Sequence, residues 1–457
     1  MNLLKNTKRI HMIGIKGTGM SALAVNFKHM GFSVSGSDFD EKFFTDTLLK
    51  KQGLKVKTPF SPQNIPTDTQ LVIVSTAYNN KNHEIQEAKR RGLLILNYPQ
   101  ALGLLIKELP SVAVCGSHGK TTTSGALGYI LSKTDYRPIV NVGSIVPQLL
   151  SYRAHNPKLF VFEADEYQNK FKYFNPKYVI LTNVDYDHPD FFKNPKQYKS
   201  VFLDFIKRIP RSGLLIYCAD DKNCRDVAKY AKCKKIGYGF SVHSSYRVQN
   251  VKIEVKTMKF KIVGRLLHTT DYALRTNLLG NHNALNLTAA ALCAAALNVP
   301  AKQIQKAVSS FRGTKRRLEI VKNIKINGRK CIIIDDYGHH PTEIKATIET
   351  LKATHPDKTL WTVFQPHTFS RTEALFNDFS KCFAQSDKTI ILDIYASKRE
   401  AFGKTHSRDL VRAINNKNVV YKSGITQAAN FLKKQIKTDS VVLTIGASNV
   451  WELAKFF

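Results

Sequence analysis

The run Gly116-Ser117-His118-Gly119-Lys120-Thr121-Thr122-Thr123 follows a short apolar stretch, Val112-Ala113-Val114-Cys115. Strand, glycine loop, Lys-Thr and helix in that order predict a cradle for a nucleoside triphosphate. Loop amides wrap the phosphates, the Lys120 ammonium bridges the β and γ groups, and the Thr121 hydroxyl ligates Mg²⁺. The loop is shorter than the common G-x-x-x-x-G-K-[ST] form, so it is a variant of it. Magnesium needs further hard ligands. Leu159-Phe160-Val161-Phe162 ends in Glu163-Ala164-Asp165-Glu166, and Val179-Ile180-Leu181-Thr182-Asn183 leads to Asp185-Tyr186-Asp187-His188. Carboxylates and an imidazole at adjacent strand ends can converge on the phosphates. A single histidine after an aspartate is equally at home in an exposed loop, and both readings of His188 stand at this point.

A second glycine loop lies upstream. Arg9-Ile10-His11-Met12-Ile13 reads as a buried strand, followed by Gly14-Ile15-Lys16-Gly17-Thr18-Gly19-Met20 and a helix through Ala22, Leu23 and Ala24. Such glycines let the backbone turn tightly and bring a phosphate to the helix N-terminus. Ser37 and Asp38 end the next strand, where the carboxylate could accept a bond from a ribose hydroxyl. Lys16 occupies the second glycine position of a dinucleotide motif. The pattern therefore favours a nucleotide-diphosphate site over a nicotinamide site or a purely structural turn.

The elements that must hold these loops alternate between strand-like and helical stretches nearly throughout, which predicts an α/β fold of parallel sheets covered by helices. The chain has 457 residues, 43% of them apolar, with 26 Phe and 18 Tyr, enough for several cores and for about three domains. Restarts at residue 9, at 111 and at Lys330-Cys331-Ile332-Ile333-Ile334-Asp335-Asp336 mark the first strands of three units, with linkers near Lys107-Glu108-Leu109-Pro110 and Arg312-Gly313-Thr314-Lys315. The seven dispersed cysteines, none in a C-x-x-C pair, fit reduced thiols without structural zinc. No run is long enough to span a bilayer, and Met1–Asn6 leads into Lys8-Arg9 without a signal-peptide core, so a cytoplasmic, non-inserted protein is expected. A formal net charge of +34 would suit a nucleic-acid binder, yet the excess is spread as single and paired lysines, which favours a basic proteome or anionic small substrates.

Taken together, these segments resemble the Mur ligase family, the ATP-dependent amide-forming enzymes of peptidoglycan precursor synthesis. The resemblance also rests on Gly280-Asn281-His282-Asn283-Ala284-Leu285-Asn286, Lys315-Arg316-Arg317, Asp335-Asp336-Tyr337-Gly338-His339-His340-Pro341 and Phe364-Gln365-Pro366-His367-Thr368-Phe369-Ser370-Arg371. It implies three domains: a Rossmann-like UDP-binding domain over 1–107, a central P-loop ATPase domain over 108–316, and a Rossmann-like C-terminal α/β domain over 317–457 that closes over ATP and binds the amino acid.

Within the family the pattern is nearest to members joining L-alanine to UDP-N-acetylmuramate through an acyl phosphate. That implies these two substrates, with ATP and Mg²⁺, in a monomer or homodimer without a specific nucleic-acid partner. Gly14, Lys16, Gly17, Thr18, Gly19, Met20, Ser37 and Asp38 fall at the UDP-sugar. Gly116, Ser117, His118, Gly119, Lys120, Thr121, Thr122, His282, Asn283, Asn286, Arg317 and Asp336 fall at ATP. Thr121, Glu163 and His188 fall at the metal, while Lys120, Glu163, His188, His339, His367 and Arg371 serve the chemistry, with His339, His340 and His367 all open as partners of the incoming amine. Competing readings are a murein-tripeptide recycling ligase, a folate- or amino-acid-polymerising ligase of the same superfamily, and a nucleic-acid-binding P-loop ATPase.

Overall fold

The computed structural model describes residues 7–254, 256–264, 271–396, 400, 403–414 and 416–457. Residues 1–6, read above as lacking an export signal, lie outside the described residues. Three sheets follow one another along the chain. The first comprises β1 (Arg9–Ile13), β2 (Ser33–Ser37), β3 (Val56–Lys57), β4 (Leu71–Val74) and β5 (Leu94–Asn97), parallel in the order β3-β2-β1-β4-β5. Ile10, Met12 and Ile13 are fully buried, as a central strand covered on both faces requires. The order reverses at β1, so the crevice beyond its carboxyl end opens onto the N-terminus of the helix Thr18–His29.

The second sheet holds β6 (Ser111–Cys115), β7 (Ile139–Asn141), β8 (Phe160–Glu163), β9 (Tyr178–Leu181), β10 (Leu214–Cys218), β11 (Lys234–Gly239), β12 (Tyr246–Ile253), β13 (Met258–Gly264) and β14 (Asp271–Thr276), in the order β14-β13-β12-β11-β10-β9-β6-β8-β7. It is parallel from β7 to β12 and then continues as an antiparallel meander, β12-β13-β14. In β13, Met258, Phe260 and Ile262 are buried while Lys259 and Lys261 face solvent, the period-two pattern of a sheet wet on one side. The third sheet contains β15 (Glu319–Ile326), β16 (Arg329–Asp336), β17 (Thr359–Phe364), β18 (Lys388–Ile391), β19 (Val419–Tyr421) and β20 (Ser440–Ile445), in the order β15-β16-β20-β17-β18-β19.

One expectation needs correcting. The third sheet does not begin with the apolar run at 330–336, because β15 precedes it as an antiparallel edge strand. The joint is Asn327-Gly328 with φ of 51° and 76°, the two left-handed residues of a tight hairpin turn. Lys322, Asn323 and Lys325 interrupt the apolar pattern of β15 and hide it from a reading based on buried runs.

Buried polar groups lock the first unit together. Glu84, 0% exposed, accepts from Ser61 N at 3.0 Å and Asn64 Nδ2 at 2.8 Å and from the Ser37 hydroxyl, and lies 3.3 Å from His11 Nε2. One carboxylate thus joins β1, β2 and the 61–64 turn to the helix His83–Arg90. Glu84→Ala strands these donors in the interior and is expected to cost about 3 kcal/mol. The check is calorimetry: a first unfolding transition moved to lower temperature, with the transition of the rest of the chain unchanged.

Candidate active site

Strand β6 lies between β8 and β9, so its loop opens at a second reversal of strand order. Gly116 has φ +133°, and a Cβ there would stand 2.1 Å from Thr182 Oγ1; Gly119 has φ +79°, with a Cβ 2.4 Å from Asn286 Oδ1. Only glycine fits at either position. The loop is held by its neighbours: His118 N donates to Asn183 Oδ1 at 2.8 Å, and Thr182 Oγ1 donates to His118 O at 2.6 Å. Its amides are therefore shaped by the protein's own contacts. Lys120 Nζ donates to the Gly116 carbonyl, to Ser117 O at 3.0 Å and to Glu166 Oε2 at 3.1 Å. Burial works against the ammonium, but the surrounding Glu166, Asp165 and Glu163 carboxylates outweigh it and hold the pKa above the usual lysine value.

The acids at the ends of β8 and β9 each have a partner. Glu163 accepts from Thr121 Oγ1 at 3.1 Å and from Gly143 N at 2.8 Å. Asp165 pairs with Lys170, and Glu166 accepts from Tyr198 at 2.8 Å and lies 3.8 Å from His188 Nε2. Asp187 accepts from Arg371 Nε at 2.8 Å. Asp187 resists the burial that would protonate it because Arg371, His188 and further histidines keep its pKa well below the ordinary range. Thr121 and Glu163 offer hard oxygens beside the Lys120 amine, and Asp165, Glu166 and His188 can bring one ligand atom each to within 4.8 Å of one another. This donor set, a hydroxyl and carboxylates with one imidazole, fits a hard dication.

Two cavities meet at the loop. One, of about 400 Å³, is lined by Gly119, Thr122, His282, Asn283, Asn286, Arg317 and Asp336. The other, of about 390 Å³, draws on all three sheets: Gly17, Thr18, Gly19 and Met20 from the first, Lys120, Thr121, Glu163 and His188 from the second, and His339, His367 and Arg371 from the third. Arg317 and Glu343 border both and pair at 3.3 Å.

Several expected residues have other duties. Lys16 does not point at the first loop's anion site: it is 7% exposed, and its ammonium donates to Phe39 O at 3.0 Å and Glu41 O at 2.7 Å. Asp38 is 1% exposed and accepts from Lys16 N at 2.7 Å, Phe39 N at 2.9 Å and Tyr78 at 2.9 Å. Ser37 is fully buried on Glu84. The three hold the loop's shape, as does Gly14, whose left-handed φ of 81° lies under the Tyr78 ring; the helix end Gly17–Met20 is what faces the cavity. Asp336 borders the nucleotide-sized cavity but spends its carboxylate on Leu318 N and Gly338 N, both at 2.7 Å, and burial raises its pKa to about 6. His340 caps the helix Pro341–Thr354, and its Nε2 donates to Tyr186 O at 3.1 Å, which commits both ring nitrogens. His339 remains in the cavity, with Nδ1 3.1 Å from Tyr337 O; burial, reinforced by Arg371, pushes its pKa down to about 3 and keeps the ring neutral. Sequence reasoning missed Glu166 and Glu343 as charge partners. Glu166 stands in the acidic run after β8 and Glu343 two residues past the Asp335–Pro341 segment, but only the fold shows which cation each meets.

The comparisons with known proteins agree with this architecture. Models of the Mur ligase family match residues 9–109 (catalytic domain), 114–294 (middle domain) and 316–448 (glutamate ligase domain). The UDP-N-acetylmuramate–L-alanine ligase of Acetivibrio thermocellus is 35% identical over 456 residues, 98% of this chain and 95% of that one. That of Caldanaerobacter subterraneus subsp. tengcongensis is 35% identical over 459 residues, 99% and 98%. Among solved structures, a UDP-N-acetylmuramate-alanine ligase of Thermotoga maritima superposes with a TM-score of 0.80 at 24% identity, covering 98% of each chain. A murein peptide ligase of Psychrobacter arcticus gives 0.69 at 22%, covering 98% and 97%. With its loops at the carboxyl ends of three successive sheets and the family matched over nearly its whole length, the chain belongs to the Mur ligase family.

Proposed function

We propose that the chain is an ATP-dependent ligase joining L-alanine to UDP-N-acetylmuramate, in which residues 1–107 hold the sugar nucleotide, 108–316 hold ATP and 317–457 supply the amino-acid site. The observation that carries this reading is the single cavity of about 390 Å³ bordered by the first glycine loop, the P-loop and the His339–Arg371 group. An acid, a phosphoryl donor and an amine can meet there and nowhere else among the described cavities.

A carboxylate is a poor acyl donor because an amine would have to expel oxide. Attack of a sugar carboxylate oxygen on the γ-phosphorus of ATP releases ADP and leaves an acyl phosphate, which has a competent leaving group. Two anions must approach, so positioning and charge screening dominate the barrier. Lys120 would leave Glu166 for the β and γ oxygens, and the amides of the preformed loop would take the rest. Thr121, Glu163 and His188 would hold Mg²⁺, which when bound supplies positive charge to the phosphates. The alanine amine then attacks the acyl carbon, and phosphate departs. Neutral His339, whose Nδ1–H is directed at Tyr337 O, retains Nε2 as an acceptor to orient the amine. Arg371, fixed by Asp187 and by His367 O at 3.3 Å, would hold the amino-acid carboxylate.

The deciding experiment measures phosphate release from ATP with UDP-N-acetylmuramate present and each amino acid, or the murein tripeptide, supplied in turn. L-alanine is expected to give the highest kcat/KM; dependence on the tripeptide instead would assign the recycling reaction.

Lys120→Ala removes the one ammonium of the loop. Turnover should fall by at least about a thousandfold, while UDP-N-acetylmuramate affinity, read by calorimetry, stays within about threefold. Arg371→Lys retains a cation for buried Asp187 but loses the planar fork. We expect KM for L-alanine to rise tenfold or more with KM for ATP nearly unchanged; equal changes in both would place Arg371 with the nucleotide or the fold.

A further inference from the structure

The His118 side chain is not needed to shape the loop that carries it. That task falls to its own main chain, bonded on both sides to Thr182 and Asn183. The imidazole instead turns outward, toward the third sheet's unit. Its Nε2 lies 3.0 Å from Asp185 Oδ2, at the end of β9, and its Nδ1 lies 3.5 Å from Glu343 Oε1, in the first turn of the helix Pro341–Thr354. The ring packs at 4.6 Å from that of His340. Glu343 in turn pairs with Arg317 at 3.3 Å and accepts from His339 N at 3.0 Å, and Thr342 Oγ1 donates to Asp185 at 2.7 Å.

We propose that His118 is a latch: a positioning residue of the phosphate loop that holds the C-terminal unit against the central one by bridging Asp185 and Glu343, and through Glu343 sets Arg317 and His339 at the two cavities. A charge bridge at this place does what neither carboxylate can do alone. Asp185 and Glu343 would repel across the joint without a cation between them. Burial opposes the imidazolium, but the bonds to Asp185 and Glu343 overcome it and raise its pKa to about 9, while neighbouring His340 is pushed down and stays neutral. The latch is therefore charged at neutral pH. Because it is part of the loop that cradles phosphates, any shift of the loop on binding them is felt directly by the C-terminal unit.

The inference rests on the ligase reading only for its activity arm, since closure can be measured whatever the reaction. His118→Asn keeps a polar side chain of similar reach but cannot bridge two carboxylates as a cation. Small-angle scattering of the nucleotide-free full chain should show a larger radius of gyration for the variant. His118 borders both cavities, so ATP affinity by calorimetry should fall somewhat, but far less than kcat with UDP-N-acetylmuramate and L-alanine, which should fall tenfold or more. Glu343→Gln should open the molecule similarly, and the double variant should be no more open than either single one. An unchanged radius in His118→Asn, or openings of the two single variants that add in the double, would overturn the latch. Loss of ATP affinity in proportion to kcat would overturn it too, by making His118 a nucleotide contact. Failure of turnover in the wild type with the scattering result intact would sink the ligase reading alone.

Discussion

Five carboxylates, Glu163, Asp165, Glu166, Asp185 and Asp187, crowd the carboxyl ends of two strands that flank the phosphate loop, and the site exists only because each meets its own donor or cation. Glu166 and Asp187 are buried, and a buried charge without a partner costs several kcal/mol, so these two above all would be ruinous in isolation. The partners come from different places: Thr121 and Lys120 from the helix after β6, Lys170 from the segment after β8, His118 from the loop itself, and Arg371 from the third sheet's unit. The pairing of Asp187 with Arg371 and the His118–Glu343 contact cross from the second unit to the third. Electrostatic satisfaction of the acids and assembly of the cleft are consequently one event.

The same pairing governs the phosphate loop's lysine. Lys120 is satisfied by Glu166 and by two loop carbonyls, so the loop does not leave a naked ammonium in a buried cavity. On the proposed reading phosphate oxygens would compete with those partners, and could do so because they bring more negative charge than one carboxylate does. Glu166 keeps the Tyr198 hydroxyl and has His188 nearby when the lysine leaves. The counter-ion is thus already provided with alternatives, which lowers the cost of the exchange.

What could be read from residues alone follows the same physics. The two glycine loops, the strands that carry them and the acids at β8 and β9 were legible because each is local: a buried run, a turn that only glycine tolerates, a charged end. Lys16 and Asp38 misled for the opposite reason. A lysine and an aspartate beside a phosphate-type loop suggest ligand contacts, but the Lys16 ammonium meets the Phe39 and Glu41 carbonyls, and Asp38 the Lys16 amide, only when β1 and β2 pair. His339 and His340 are adjacent in sequence with opposite fates, since the helix beginning at Pro341 takes the second as its cap and leaves the first in the cleft. Strand β15 was hidden because an edge strand with one wet face carries lysines, although Asn327-Gly328 marked the turn.

The three-unit design answers a solvent problem. An acyl phosphate is as open to water as to an amine, so a ligase must form it where water is scarce and the amine is already near. A parallel sheet places its functional loops at one end, and no single sheet can enclose a substrate on all sides. Here the carboxyl ends of three sheets are turned on one another: Gly17–Met20, Ser75 and Tyr98 follow β1, β4 and β5; Ser117, Glu163 and Asp187 follow or end β6, β8 and β9; His339, His367 and Ala447 follow β16, β17 and β20. On the proposed reading each wall would bring one reactant's binding groups, so a single closure would both enclose the intermediate and deliver the amine. The +34 net charge suits this arrangement. A net charge of this sign would raise the local concentration of anionic substrates such as nucleotides around the whole chain.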